Sequence, residues 1–178
     1  MKKKKLNIGC GINCFADCIN IDLKKNEGVN LITNVEKLFL PFKSEIFELV
    51  YCKDILEHLE YINLIKEIHR VLIKGGQLII EVPHFTSRNA YTDPTHKKYF
   101  SIETFNFFVK NHIRNYYFDF AFSKINELKI TFEPKPFTFI NKILETIINQ
   151  SFENQIFYEL TFLSRIFPAK HILVTLVK

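Results

Sequence analysis

The segment Leu6-Asn7-Ile8-Gly9-Cys10-Gly11, with Ile19-Asn20-Ile21-Asp22 close behind it, restricts the fold of this chain more than any other. An apolar strand that runs into Gly-x-Gly lets the backbone turn sharply against a ligand. An acid at the end of the next strand can accept hydrogen bonds from ribose hydroxyls. Only residues 12–17 separate Gly11 from Cys18. A parallel crossover ordinarily takes roughly 10–12 residues or more, helix included, so parallel pairing of these strands demands a first crossover cut to about one turn. The spacing also departs from the dinucleotide fingerprint: Cys14 stands where a third glycine is wanted, and Asp22 follows Gly11 too soon. A nicotinamide-dependent oxidoreductase is disfavoured on both counts.

Short apolar strands then alternate with helices. Strands are expected at 5–9, 18–23, 29–33, 46–52 and 77–83, and 38–42 carries Pro41 in a loop. Between the fourth and fifth strands, apolar residues at 55, 56, 59, 62, 65, 68 and 72 follow a 3.6-residue period over 54–72. This predicts a helix, broken once near Glu60 and capped by Lys74-Gly75-Gly76. The alternation argues for an α/β fold with a mostly parallel sheet and helices on both faces. Ligands bind such sheets at the carboxyl ends of the strands. Here those ends are 9–11, Asp22, Asn34, 52–54 and 83–85.

Beyond Phe85 the periodicity is lost over 86–98, which contains the turn signal Asp93-Pro94-Thr95-His96. Ser101 reads as the N-cap of a helix to about 111 with Phe105 and Phe108 inward. Strands are expected at 123–132 and 171–177. Apolar positions 140, 143, 144, 147 and 148, then 156, 157, 160 and 163, make two amphipathic helices within 139–167. Packing on the chain's own sheet is the first reading of their faces; a homodimer surface, a lid and membrane docking are the others.

With no repeat or linker seam, residues 1–178 read as one domain, 1–85 and 86–178 being its two halves. The net charge of +5 owes four positive charges to Lys2–Lys5, a solvated tail rather than a nucleic-acid arm. The polar residues Asn7, Asn13 and Asp17 interrupt the segment after this tail, so no signal-peptide core exists, and no apolar run suits a membrane span. A cytoplasmic protein without nucleic-acid partners or stable membrane insertion is expected. Cys10, Cys14 and Cys18 lack the second cysteine pair of a zinc ribbon and, with Cys52, read as small reduced thiols. No resident metal is expected.

In one order the chain carries Leu6-Asn7-Ile8-Gly9-Cys10-Gly11, Asp22, Leu40-Pro41-Phe42 ahead of Phe47-Glu48-Leu49-Val50, Ile55-Leu56-Glu57-His58-Leu59, and Glu67-x-x-Arg70-Val71-Leu72 running into Gly75-Gly76. That order resembles the class I S-adenosylmethionine-dependent methyltransferases, in their small methyltransferase-type-11-like branch, over residues 5–85. Val82-Pro83-His84-Phe85 with Asp93-Pro94-Thr95-His96, and Phe167-Pro168-Ala169, are similar to a subset associated with bacterial surface-polysaccharide biosynthesis. The resemblance implies a Rossmann-like seven-stranded sheet whose last strand is inserted antiparallel; the clipped first crossover helix is this chain's departure from it, and the helices within 139–167 make a C-terminal elaboration. It implies S-adenosyl-L-methionine as cofactor and S-adenosyl-L-homocysteine as product. Gly9, Cys10 and Gly11 would face the methionine and ribose through backbone atoms, Asp22 would hold the ribose hydroxyls, Asn34 and Val35 would sit by the adenine, and Cys52, Lys53 and Asp54 would line the methionine end. Asn34 stands where the family often has Asp, and Ile73-Lys74-Gly75-Gly76 replaces the usual Lys-Pro-Gly-Gly.

Methyl transfer from a sulfonium is an in-line displacement, so much of the catalysis can come from alignment in a dry site. A base is needed only for an alcohol or protonated amine, and His serves near neutral pH. His84 at the end of strand 5 and His96 in the following loop are the candidates, with Asp93 orienting one of them. Arg88, Tyr91 and Tyr99 would shape the acceptor site, Arg88 suiting an anionic group. A metal shared by His84, Asp93 and His96 ranks below these roles. His58 is expected to make a structural hydrogen bond, and His69, His112 and His171 carry no site expectation. The acceptor is expected to be a small molecule or saccharide. The rival reading is a non-catalytic binding or scaffold protein on a degenerate methyltransferase fold.

Overall fold

The computed structural model describes residues 4–37, 39–135 and 137–178. Strand β1 (Lys5–Ile8) pairs in parallel with β2 (Cys18–Asp22), Ile8 opposite Ile21. The crossover between them has no helix. Gly9 and Cys10 N–H both donate to the Ile21 carbonyl, and Asn13 N–H closes one turn onto Cys10. Two buried amides pair the backbone groups that a helix would have paired. Asn7 Nδ2 donates to the Asn13 carbonyl (3.0 Å) and to Asn20 Oδ1 (3.1 Å); Asn20 Oδ1 also accepts from Phe15 N–H, and its Nδ2 donates to the Phe15 and Gly28 carbonyls. Unpaired backbone groups in the interior are costly, so polar Asn7 and Asn20 inside apolar strands make the short crossover tenable.

Strands β3 (Leu31–Ile32), β4 (Phe47–Lys53), β5 (Leu72–Pro83), β6 (Lys124–Ile130) and β7 (His171–Val177) complete one sheet in the order β3-β2-β1-β4-β5-β7-β6. The first five strands in that order are mutually parallel, and β7 runs antiparallel to both β5 and β6. This is the expected Rossmann-like sheet with an inserted last strand. Strand β3 has two residues where five were expected, and Asn34 lies beyond it in a turn.

The stripe over 54–72 forms a 3₁₀ turn (Leu56–His58) and helix α1 (Ile62–Val71), parted near Glu60 as its period required. Gly75-Gly76 does not cap this helix. Leu72 already pairs with Phe47, and the glycines lie inside β5, where Gly75 takes φ +75° and its N–H meets the Lys178 carbonyl. A Cβ on Gly76 would lie 2.9 Å from the Ile73 carbonyl oxygen, so the pair serves a kinked strand. The helix expected from Ser101 is a 3₁₀ turn (Thr104–Phe108). Its i to i+3 bonds end where Val109 bridges Phe122, yet Phe105 and Phe108 are buried as expected. The loop 86–98 contains the short helix α2 (Asn89–Thr92).

Leu64, Ile65, Ile68 and Val71 of α1 join strand residues Leu6, Ile8, Val50, Leu78, Ile80 and Val174, with Phe100, Phe105, Phe108 and Phe122, in the main core. A smaller core gathers Ile102, Ile130, Phe132, Ile148, Tyr158 and Ala169 beneath α3 (Thr138–Ile148), α4 (Phe152–Leu160) and α5 (Leu163–Ile166). The apolar stripes of α3 and α4 do not all pack inward. Of the marked positions only Ile148 is fully buried, whereas Phe157 and Leu160 are 61% and 81% exposed. Helix α4 is held instead through Gln155 to the Leu128 carbonyl and Tyr158 to the Phe167 carbonyl, hydrogen bonds that a count of apolar positions passes over.

Of the basic run at 2–5, Lys2 and Lys3 lie outside the described residues, as do Met1, Leu38 and Pro136. Lys4 and Lys5 pair with Glu48 and Asp17. Among the described residues no helix is long and apolar enough to cross a membrane.

Candidate functional site

Two cavities open along the carboxyl ends of the parallel strands. The first, about 520 Å³, is walled by Gly9, Asp22, Thr33, Asn34, Val35 and Ile55, and also by His58. Each Asp22 oxygen accepts one backbone N–H: Oδ2 from Gly11 (2.8 Å) and Oδ1 from Lys24 (2.9 Å). A carboxylate has about four lone-pair sites, so both oxygens keep capacity for hydroxyls in the cavity. Gly9 at φ +66° turns tightly under Ile55, where a Cβ would approach the Ile55 side chain to 2.6 Å. At Gly11, φ +52°, a Cβ would meet nothing within 4 Å, so its backbone is open to approach. Asn34 Oδ1 accepts from Glu36 N–H and so fixes the side chain that flanks Val35.

The second cavity, about 680 Å³, lies beside the first and shares His58 with it. Its wall includes Asp54, Glu57, Asp93, His96, Lys170 and His171. Glu57 is 1% exposed, and neither of its carboxylate oxygens hydrogen-bonds to another described residue. Burial pushes this carboxyl up to about 7. Its backbone carbonyl accepts from Lys97 (2.7 Å) and Lys98 (3.1 Å), tying the 3₁₀ turn to the loop that carries His96. His96 Nε2 stands 3.9 Å from Glu57 Oε1, and the His58 and His96 rings meet edge to face at 4.6 Å. Burial, reinforced by the neighbouring His96, lowers the His58 pKa.

The remaining expected residues fall in different places. His96 and Asp93 meet at the second cavity, Asp93 reaching His58 through Thr95. His84 does not join them. It is completely buried, with Nδ1 against Thr86 Oγ1 (2.7 Å) and Nε2 against Glu159 Oε1 (2.9 Å), so it locks strand β5 to α4 and has no nitrogen left for an acceptor. The cluster of His84, Asp93 and His96 therefore does not form. The Cys52 side chain lies in the main core, where burial raises its pKa, and Lys53 points outward to Glu81 at 2.9 Å; only Asp54 of this trio faces a cavity. Cys10 is buried against Cys14 at 3.5 Å, burial first and that contact second pushing its thiol up to about 12, so only its backbone is available at the turn. Arg88 is exposed and lines neither cavity. Tyr91 and Tyr99 stack on each other at 5.0 Å, and the Tyr91 hydroxyl donates to the Phe85 carbonyl away from the second cavity.

Among the residues of the second cavity's wall that carried no expected site role, two bear most on its charge. His171 bridges Asp54 and Glu81, each at 3.3 Å, and although burial alone would raise the Asp54 pKa, this bridge draws it below the usual value. Glu57 is the other. Its signal was available in Glu57-His58 at the exit of an apolar strand, two chemistry-bearing residues where ligands bind.

Residues 6–80 match the family model described as a methyltransferase domain. An uncharacterized protein of Methanocaldococcus jannaschii is 33% identical over 43% of this chain and 39% of its own length. The chain thus spans about two fifths of that curated relative. Among solved structures, a SAM-dependent methyltransferase from Archaeoglobus fulgidus superposes with a TM-score of 0.66 at 22% identity, covering 98% of this chain and 85% of that one. Phosphoethanolamine N-methyltransferase 2 of Haemonchus contortus, solved with phosphomonomethylethanolamine and S-adenosylhomocysteine, gives 0.58 at 16% identity, covering 100% of this chain and 50% of that one.

Proposed function

We propose, from the match of residues 6–80 to a methyltransferase-domain model and from the class I methyltransferase fold of the sheet, that the protein transfers a methyl group from S-adenosyl-L-methionine to a small, saccharide-like acceptor. The observation that carries the reading is Asp22: a carboxylate fixed by two backbone N–H groups at the end of β2, with free lone pairs in a cavity that also presents Gly9 and Asn34. These residues fit the cofactor. Asp22 would take the ribose hydroxyls, Asn34 and Val35 the adenine edge, and the Gly9–Gly11 backbone the methionine side. When bound, the sulfonium supplies an electrophilic methyl carbon.

The second cavity is the acceptor side. Its polar wall of Asp54, Asn89, Thr92, Asp93, Lys170 and His171 suits a hydroxyl-rich molecule, as does the similarity of the Pro83-His84 and Asp93-His96 motifs to a polysaccharide-associated subset. His58, shared by both cavities, and His96 are the groups that orient and activate the acceptor, while Asp93 and Thr95 hold His58. Residues 1–85 form the cofactor half and 86–178 the acceptor half of one domain, working in the cytoplasm. The exposed apolar residues of α3 to α5 support a homodimer through 139–167. Native mass spectrometry of the purified protein tests the central reading. A mass increment of the methyl donor or its demethylated product, lost in Asp22→Ala, is expected; no cofactor binding by a folded protein would instead favour the scaffold alternative.

A further inference from the structure

We propose that Glu57, His58 and His96 bind one divalent transition-metal ion at the floor of the second cavity. One ligand atom from each of the three lies within 4.8 Å of the other two. In a tetrahedral zinc site with bonds of roughly 2.0–2.1 Å, ligand atoms sit about 3.3 Å apart, so a closure of at most about 1.5 Å completes the set. Side-chain rotation covers that distance.

The hydrogen bonds around the cluster fix both imidazoles in the ligating form. His96 Nδ1 faces the Ala90 carbonyl at 3.1 Å, which can only accept, so Nδ1 carries the proton and Nε2 keeps its lone pair towards Glu57. The Thr95 hydroxyl donates to Asp93 Oδ1 (2.7 Å) and therefore accepts from His58 Nδ1 (2.8 Å), which bares His58 Nε2 in the same way. A second layer that sets the tautomer of each histidine is what metal sites require. Glu57 supplies the charge. A carboxylate 1% exposed that hydrogen-bonds to no other described residue is an unusual expense in a folded interior, and a cation beside two neutral imidazoles removes it.

The donor set selects the ion class. Two imidazoles and one carboxylate suit Zn²⁺, Co²⁺, Fe²⁺ or Mn²⁺, whereas Mg²⁺ and Ca²⁺ prefer oxygen alone. Three protein ligands leave positions on the cavity side for an acceptor oxygen, and this part of the inference rests on the function proposed above. The neighbouring Asp54–Glu81–His171 group lies equally close together but is satisfied internally, His171 between the two acids and Lys53 on Glu81.

Titration of the chelator-treated protein with Co²⁺, read by visible absorption and calorimetry, tests the site. One equivalent should bind with ligand-field bands of a nitrogen-ligated ion, and Zn²⁺ should displace it. Glu57→Gln and His96→Gln should each weaken binding more than about 100-fold, and Thr95→Val, which frees the His58 tautomer, about 10-fold. His112→Ala should leave it unchanged. Circular dichroism and S-adenosylhomocysteine affinity are measured on every variant. Absence of Co²⁺ binding, binding indifferent to Glu57→Gln and His96→Gln in folded protein, or binding abolished by His171→Asn instead would overturn the metal site. Since S-adenosylhomocysteine binding reports on the first cavity, failure of the metal site and failure of the methyltransferase reading are separate results.

Discussion

Asp22 joins local structure to ligand chemistry in one side chain, because the same carboxylate that holds Gly11 and Lys24 N–H faces the first cavity. Replacement by Ala removes at least one charge-assisted hydrogen bond worth about 1.5–3 kcal/mol, so S-adenosylhomocysteine affinity should fall by roughly 10- to 100-fold or more in calorimetry. Gly9 is constrained twice, by φ +66° and by Ile55 at 2.6 Å from its absent Cβ. Gly9→Ala should destabilise the protein by about 1–3 kcal/mol in urea unfolding. Adding Ile55→Ala should recover the steric part and leave the backbone part, a non-additivity that a double-mutant cycle measures. Gly9, Gly11 and Asp22 were legible from sequence because their chemistry is local. The isolation of Glu57 was not, since the loop 93–98 that closes over it is distant in sequence.

At the scale of elements, α1 does more than cover the sheet. Glu67 accepts from Leu40 N–H (2.9 Å) and pairs with Arg70, which in turn donates to the Leu40 and Phe42 carbonyls, so one helical turn holds the whole 40–44 loop. Burial works against the Glu67 carboxylate, yet Arg70 and the Leu40 N–H outweigh it and lower its pKa. Glu67→Ala would strand a buried N–H and an arginine, and should cost about 3 kcal/mol in the same unfolding measurement. His69 on this helix loses its contribution in acid as well, but in a higher pH window. Burial, then the charge of Lys178, holds its pKa below 6.5. The unfolded chain protonates first, so this contribution is intact above about pH 6.5 and is lost as the pH falls from there through the lower folded value. His69→Gln, which keeps a donor for the Ala121 carbonyl, should flatten stability between about pH 7 and about pH 5. The period of apolar residues located α1 but could not tell the Gly75-Gly76 kink from a cap, because both need glycine and only the pairing of Leu72 with Phe47 decides.

Among the described residues, the C-terminal helical region leaves apolar side chains uncovered: Phe139, Phe157, Leu160 and Phe162 are each more than half exposed. If this surface joins two copies, sedimentation should show a concentration-dependent dimer, and Phe157→Glu with Leu160→Glu should yield a monomer of unchanged melting temperature, both side chains being exposed already. Sequence by itself determined the alternation of strands and helices, the parallel sheet with its clipped first crossover, and the cluster of backbone turns and one acid at its carboxyl edge. Those follow from periodicity and from spacings too short to allow anything else. Tertiary structure decided which polar residues face a cavity and which serve the frame. His84 and His96 are equally plausible in the chain, but Glu159, 75 residues from His84, takes one for the core, while the Ala90 carbonyl turns the other towards Glu57. A side chain's chemistry is set by what reaches its polar atoms, and in this fold most of those partners arrive from elements far apart in sequence.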